Sequence, residues 1–389
     1  MNTTAGANVA QRTRNNHFVP QFYLRQWQSS DENLRQGKYV YSYPWLTEHD
    51  ARKKWSTCNI AHTASQHFLY TVECEGVLDN SLEDALSCLE SKIPAVIAKL
   101  NDPSTLSDTD KILLMEFIAV QSVRTPVWWR KLLNNTDDRV QRILRSDERV
   151  IMRENLHNAI HNLIFPTKDL LYTKLHYIAT KYDKTELVHL KRQEYPGYYD
   201  EFDEYDYLFF VSGLMLVAIG EAIRTEWYLL KAPDDCHFIT CDNPVAIIQD
   251  HINWGRNSYC PWYPGDIILM PLSPEYLLVS NTFPNLWDFD KSRVDGINAI
   301  IAYNADMYVY DSFPNEAVSS LISCIVDAEE CALRSISHED FQKCIESTCP
   351  SACRPIRLDT HTQCNKDHIV YHQEIYLPAI HTSTSTSDK

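Results

Sequence analysis

Glycine is scarce in this chain, with 9 among 389 residues. Neither G-x-G-x-x-G nor G-x-x-x-x-G-K-[ST] occurs, which excludes the two common glycine-rich loops that cradle nucleotide phosphates. G-x-S-x-G is also missing, so no nucleophile elbow marks a serine hydrolase. Positive charge is short: 36 Lys and Arg stand against 52 Asp and Glu, a net charge of −16. Such a chain repels phosphate backbones and anionic membranes on average, and any nucleic-acid contact has to use a local basic patch. No internal repeat at solenoid or propeller periods is present. Met1 to Asn16 is polar and lacks the apolar stretch of a secretory leader. The longest apolar run, Tyr207 to Ile219, is too short for a bilayer and leads into Glu221 and Arg224. It reads as a buried helix of a cytoplasmic protein with no membrane contact. The 12 cysteines are then expected as reduced thiols.

What is present is ordinary globular material, 44% hydrophobic, 23% charged and 11% aromatic, enough for a sizeable core. Residues 1–16 read as a disordered lead, 17–335 as a single α+β catalytic domain, and 336–389 as a Cys/His-containing extension with a disordered tail. The fold class expected is α+β, a helical N-terminal half followed by a mixed or antiparallel sheet in the C-terminal half, sharing one core. A first helix is expected over His17 to Gln28, with Pro20 in its first turn, then a strand over 38–43. Residues 79–100 carry helical spacing through Leu82, Leu86, Leu89, Ile93 and Ile97. Ser107 is a good N-cap for the next helix, which ends near Arg124. Helical signals run on from 127 to 164 and more weakly to 190. After the apolar helix of 207–224, short β-rich segments separated by prolines predict strands at 227–231, 237–240, 245–248, 266–270, 276–280 and 307–311. Helices are expected at 291–304 and 315–334.

Several constellations can carry chemistry. Asp79 and Glu83 lie four apart at a helix start, with Glu90 two turns on along the same side. The carboxylates suit a bound cation or a general base, and equally an acidic first turn favoured by the helix dipole. His17, Gln21 and Arg25 share a polar side of the first helix. Asp242 and Asn243 lie where a strand ends, a place that faces a cleft, although Asp-Asn-Pro is also ordinary turn chemistry. These two groups are expected to meet in one cleft. Gln121 and Arg124 sit one turn apart on an apolar helix, where an Arg needs an acid or a ligand. From Arg124 to Arg153 eight bases face four acids, and Arg139, Arg142, Arg145, Arg149 and Arg153 follow helical spacing. They form either a track for phosphates or a solvated helix face. Cys349, Cys353, His361, Cys364, His368 and His372 hold the ingredients of a zinc site without the spacing of a common finger.

Five segments in order, His17-Phe-Val-Pro-Gln-Phe-Tyr-Leu-Arg25, Gln121-Ser-Val-Arg-Thr-Pro126, Thr240-Cys-Asp-Asn-Pro-Val245, Pro271-Leu-Ser-Pro274 and Asn298 to Tyr310, give a resemblance over residues 17–312. They resemble a family of unknown function that opens with an HFVPQFYLR-like motif. Within it they are similar to the fungal arginine-containing cyclodipeptide synthases, which condense arginine from arginyl-tRNA with a second aminoacyl group into a diketopiperazine. That branch carries two adjacent aspartates followed by a glutamate; here the nearest stretch is Asp79-Asn80-Ser81-Leu82-Glu83, with asparagine in place of the second acid. The resemblance implies catalytic roles for Asp79, Glu83, His17 and Asp242. It implies substrate contacts from Gln21, Arg25, Glu90, Gln121, Arg124, Asn243 and Asn298, and tRNA contacts from the Arg139 to Arg153 stripe. Partners would be arginyl-tRNA and a second aminoacyl-tRNA, with no obligate protein partner. Because aminoacyl esters are already activated, neither ATP nor another cofactor is required. Competing readings are a metal-dependent nuclease or defence effector using His17, Asp242 and Glu83, and a non-catalytic binding protein.

Overall fold

The computed structural model describes residues 15–31, 34, 38–45, 54–67, 69–74, 77–127, 147–162, 170–194, 204–248, 267–280, 291–327 and 356–357. The chain opens with strand β1 (Asn15–His17), a single helical turn α1 (Gln21–Leu24) and strands β2 (Tyr39–Pro44), β3 (Ser56–Asn59), β4 (Ser65–His67), β5 (Val72–Cys74) and β6 (Val77–Asp79). Helices α2 (Ser81–Glu90), α3 (Ile93–Ala98), α4 (Asp108–Arg124), α5 (Asp147–Asn162), α6 (Leu170–Lys181), α7 (Thr185–Glu194) and α8 (Glu204–Arg224) follow. Then come β7 (Trp227–Lys231), β8 (Thr240–Cys241), β9 (Ala246–Ile248), β10 (Ile267–Pro271), β11 (Tyr276–Ser280), α9 (Lys291–Asn304), β12 (Tyr308–Asp311), α10 (Glu316–Asp327) and β13 (Ile356–Arg357).

The class is α+β, with antiparallel sheets. A five-stranded sheet runs β13-β7-β11-β10-β9 and a four-stranded one runs β3-β2-β12-β8. The division into a helical first half and a sheet-forming second half is loose, because β2, with β3 at its outer edge, pairs with β12 of the C-terminal half. The short polar strands β1 and β4 have no alternating pattern to reveal them; pairing with each other defines them. Residues 15 and 16, expected in the disordered lead, belong to that pair. Within the 336–389 extension, Ile356 and Arg357 add an edge strand to β7. The rest of the extension, with its cysteines and histidines, lies outside the described residues.

One core was expected; two apolar clusters flank the five-stranded sheet. Ile268, Met270 and Leu278 face α4 and α8, whereas Ile267, Leu269, Leu277 and Val279 face α9, α10 and the four-stranded sheet. Successive side chains of a strand point to opposite faces, so a sheet covered on both sides needs continuous apolar runs rather than alternation. The four apolar residues of β10, Ile267 to Met270, and all of β11 are buried accordingly.

Residues 79–100 form two helices rather than one, because Pro94 lies in the first turn of α3 and has no N–H to continue α2. Helix α4 begins as expected at Ser107, whose side chain accepts from the Asp110 N–H while Asp110 answers the Ser107 N–H. The weak helical signal toward 190 divides at Asp183, which accepts from the Thr185 N–H at 2.9 Å and opens α7. Helix α8 is long and apolar enough to cross a membrane, and most of that stretch is buried within the protein. It is the central helix of the N-terminal core. Gly213 lets α5 approach it closely: a Cβ there would lie 2.9 Å from Ile160 Cδ1 and Leu156 Cδ2.

Candidate functional site

Three segments converge near the C-terminal end of α4. The first is β1 and the residues after it. Ala64 adopts a left-handed φ of 49°, and its carbonyl accepts from the Phe18 N–H at 3.0 Å. That contact seats His17 and Phe18 beside α4. The second is α2, which presents Glu83 and Glu90 on one side, two turns apart. The third is α4 itself, carrying Gln121 and Arg124, both buried.

Arg124 organises the site. Its Nη1 lies 2.5 Å from Glu90 Oε1, with the side chains 3% and 26% exposed respectively. Nη2 donates to the His17 carbonyl at 2.5 Å. Nε faces the Tyr70 hydroxyl at 3.4 Å, and that hydroxyl donates to the Arg124 carbonyl at 2.9 Å. Gln121 Nε2 donates to the Phe18 carbonyl at 2.7 Å. Burial opposes the Arg124 charge, but Glu90 and Tyr70 outweigh it and hold the guanidinium protonated well above its ordinary range. Burial pushes the Tyr70 hydroxyl up to about 12. The acid that α4 needed for its arginine is therefore Glu90.

Around this fixed cation stand buried polar atoms without a protein partner of good hydrogen-bond geometry: both ends of the Asn16 amide, which acts on Glu83 at close range, His17 Nε2, Glu83 Oε2 and Gln121 Oε1. Buried polar atoms are almost always paired, so several together point to water or a bound ligand as the partner. Burial raises the Glu83 carboxyl above its ordinary value, with Arg124 pulling against it and Glu90 adding to it. Asn16 also favours the Glu83 charge. Burial lowers the His17 imidazole, against the carbonyls of Ala61 and Ile60 and the Glu90 charge. The two groups are thereby moved toward each other's range, the arrangement that general acid–base chemistry needs near neutral pH.

His17, Glu83, Glu90, Gln121 and Arg124 thus come together, although His17 lies on a strand rather than a helix. Asn16 and Tyr70 were missed; Asn16 sat in the polar lead, and a lone Tyr70 carries no local signal. Asp79 does not share Glu83's side. It ends β6, where Val72 and Asp79 pair; its carboxylate binds Lys181 at 2.5 Å and accepts from Tyr182 and Ser81. Burial works to raise it, but those bonds prevail and hold it far below the usual carboxylate range. It fastens α2 to the end of α6.

Among the described residues His17, Gln21 and Arg25 make no bond to Asp242 or Asn243, as a shared cleft would require; the two segments touch instead through Tyr23 and Trp27. Tyr23 hydroxyl lies 2.7 Å from both Thr240 Oγ1 and the Pro271 carbonyl, and Trp27 Nε1 donates to the Phe238 carbonyl at 2.8 Å. Gln21 and Arg25 form a surface pair at 3.3 Å. Asp242 is buried and accepts N–H bonds from Asp306, Met307 and Tyr308 at 2.8, 2.9 and 3.1 Å. Burial pushes it up to about 6 despite them. Asn243 exchanges bonds with Asn304 and accepts from Thr125 Oγ1 at 3.0 Å. Asn298 clamps 237–239, accepting from Ile239 N–H at 3.1 Å and donating to the His237 carbonyl at 3.0 Å. These three hold the sheet's turns. His17, Glu83 and Asp242 do not assemble into a metal-binding group among the described residues.

Arg153 departs furthest from expectation. Its side chain and that of Asp206 on α8 are fully buried and paired at 2.5 Å, with the guanidinium 5.4 and 5.3 Å from the Phe209 and Phe210 ring centres. It is not available to a phosphate. Arg139, Arg142 and Arg145 lie outside the described residues, as does the Arg149 side chain.

Neither comparison with curated proteins nor comparison with solved structures finds a match. A family profile described as a protein of unknown function, DUF4238, matches residues 15–313. That span holds β1, α2 and α4, and with them every residue of the Arg124 site. The chain belongs to the DUF4238 family of proteins of unknown function.

Proposed function

We propose that this chain is a cytoplasmic, tRNA-dependent cyclodipeptide synthase that joins arginine from arginyl-tRNA to a second aminoacyl group, with its reaction centre at Asn16, His17, Glu83, Glu90, Gln121 and Arg124. The observation that carries the reading is Glu83: a carboxylate with one buried oxygen outside any hydrogen bond, raised by burial, in the field of the same Arg124–Glu90 pair that acts on His17. Peptide-bond formation from an activated ester asks for little more. The α-amine of one aminoacyl group attacks the ester carbonyl of the other, and the C–N bond forms as the C–O bond to the ribose breaks. Glu83 takes the amine proton, and His17 supplies a proton to the departing ribose oxygen. The free α-amine of the resulting dipeptidyl ester then attacks the remaining ester carbonyl intramolecularly, and the C–O bond to the second tRNA's ribose breaks as the ring closes, a step where positioning contributes most. Arg124 and Glu90, already neutralising each other, frame the site, which leaves Glu83 as its proton acceptor.

The test is expression in a heterologous host followed by mass spectrometry for arginine-containing cyclic dipeptides, with Glu83→Gln alongside. Product from the parent and none from the variant supports the reading. Absence of such products from the parent, or cleavage of labelled RNA by purified protein on adding magnesium, overturns it.

A further inference from the structure

Among the helices, His157 and His161 lie one turn apart on α5 and face Asp183, at the corner between α6 and α7. The Nδ1 of His157 is 2.5 Å from Asp183 Oδ2, and the Nε2 of His161 is 3.8 Å from the same oxygen. The imidazole rings stand 4.4 Å apart. One donor atom from each residue lies within 4.8 Å of the others.

We propose that these three side chains bind a first-row divalent transition ion of the zinc class, which pins α5 to the α6–α7 corner. Two imidazoles and one carboxylate are a borderline-soft donor set, suited to zinc, cobalt or nickel rather than to magnesium or calcium. Donor atoms about 2.1 Å from a tetrahedral ion are about 3.4 Å apart from one another. The His161–Asp183 distance is already close to that. The His157–Asp183 contact, now bridged by a proton, has to open by about 1 Å as the ion replaces that proton.

The outer shell is built as metal sites require. Asp183 Oδ1 accepts from the Thr185 N–H at 2.9 Å and from its hydroxyl at 2.6 Å, which fixes the carboxylate and leaves Oδ2 for the ion. The neighbouring histidines are occupied elsewhere: His189 pairs with Glu154 at 3.1 Å, and His176 bonds the Ile160 carbonyl. The site is open to solvent on the side where the His161 side chain is 50% exposed, which gives water access to a fourth position. Glu83 is not among these donors, and the site does not depend on the reaction proposed for it.

The test uses the full chain, stripped with chelator under reducing conditions and titrated with cobalt, beside His161→Ala. Because that side chain is half exposed, the variant is expected to keep its fold, checked by circular dichroism. The 12 cysteines are common to both proteins, so the difference between titrations isolates the histidine site. One further equivalent is expected in the parent, with visible cobalt absorption but no added thiolate-to-cobalt charge-transfer band. The variant should bind that equivalent more than about a hundredfold more weakly, since outer-shell changes alone cost about ten- to a hundredfold. Zinc should compete for it and magnesium should not. Equal stoichiometry and affinity in the two proteins, or equally good binding of magnesium, overturns the site.

Discussion

Arg124 and Glu90 form an ion pair at 2.5 Å, while Glu83, two turns earlier on the same helix, lies in the field of that arginine with no hydrogen bond to its buried oxygen. One carboxylate of α2 is spent on structure and the other is held in reserve.

Glu83→Gln separates those roles. Cyclodipeptide formation should fall at least about a hundredfold, the usual contribution of a positioned base. Because the folded state raises the Glu83 carboxyl, its ionisation disfavours the fold as pH rises through that raised value. The amide should therefore be as stable as the parent or more so at pH 7, read from the melting temperature. In the parent, the rising limb of kcat/KM with pH should lie above the ordinary glutamate value of about 4.3, because burial raises the Glu83 carboxyl. A variant that melts much earlier would give Glu83 a structural role instead.

Asp79→Asn should show the opposite pattern. Losing the charge that holds Lys181 and Tyr182 should cost about 1–3 kcal/mol in denaturant unfolding at pH 7, with turnover per folded molecule preserved. The folded state depresses this carboxyl, so its contribution is present above the unfolded value of about 3.9 and disappears as pH falls toward the depressed one. The stability gap between parent and variant should narrow only below about pH 4.

Arg153 is a core residue. Arg153→Ala should destabilise by about 3–5 kcal/mol, since Asp206 is left charged and buried, whereas the pair Arg153→Met with Asp206→Leu should recover most of that loss. Equilibrium unfolding of the three proteins gives the comparison. A single variant as stable as its parent would contradict the buried pairing.

Reversing Arg142, Arg145 and Arg149 to glutamate tests the remaining basic track. Product yield from aminoacyl-tRNA should drop for all tRNA sequences alike, because phosphates carry no base identity. The salt dependence of tRNA binding should also become shallower, as fewer counterions are released. Unchanged yield and slope would remove these arginines from the tRNA contact.

Local rules in the chain carried a good part of this structure. Ser107 and Asp110 announce the start of α4, Pro94 the end of α2, and the apolar runs at 227–231 and 276–280 their strands, because capping, proline geometry and doubly covered sheets act through adjacent residues. The need of Arg124 for an acid was legible too, since an unpaired buried guanidinium is too costly to keep. Which acid answers it was not. Asp79, Glu83 and Glu90 look alike along the sequence. Only the β5–β6 pairing, which draws Asp79 into a strand, and the docking of α2 on α4 and α6 assign the first to Lys181 and the last to Arg124, and leave the middle one without an ion-pair partner of its own, facing Asn16 in the field of Arg124. The same holds for Arg153, whose spacing matches an exposed stripe. A helical period says which residues share a side, not which side meets water. That was settled by Asp206 and the phenylalanines of α8, more than fifty residues away in the chain, when the helices packed.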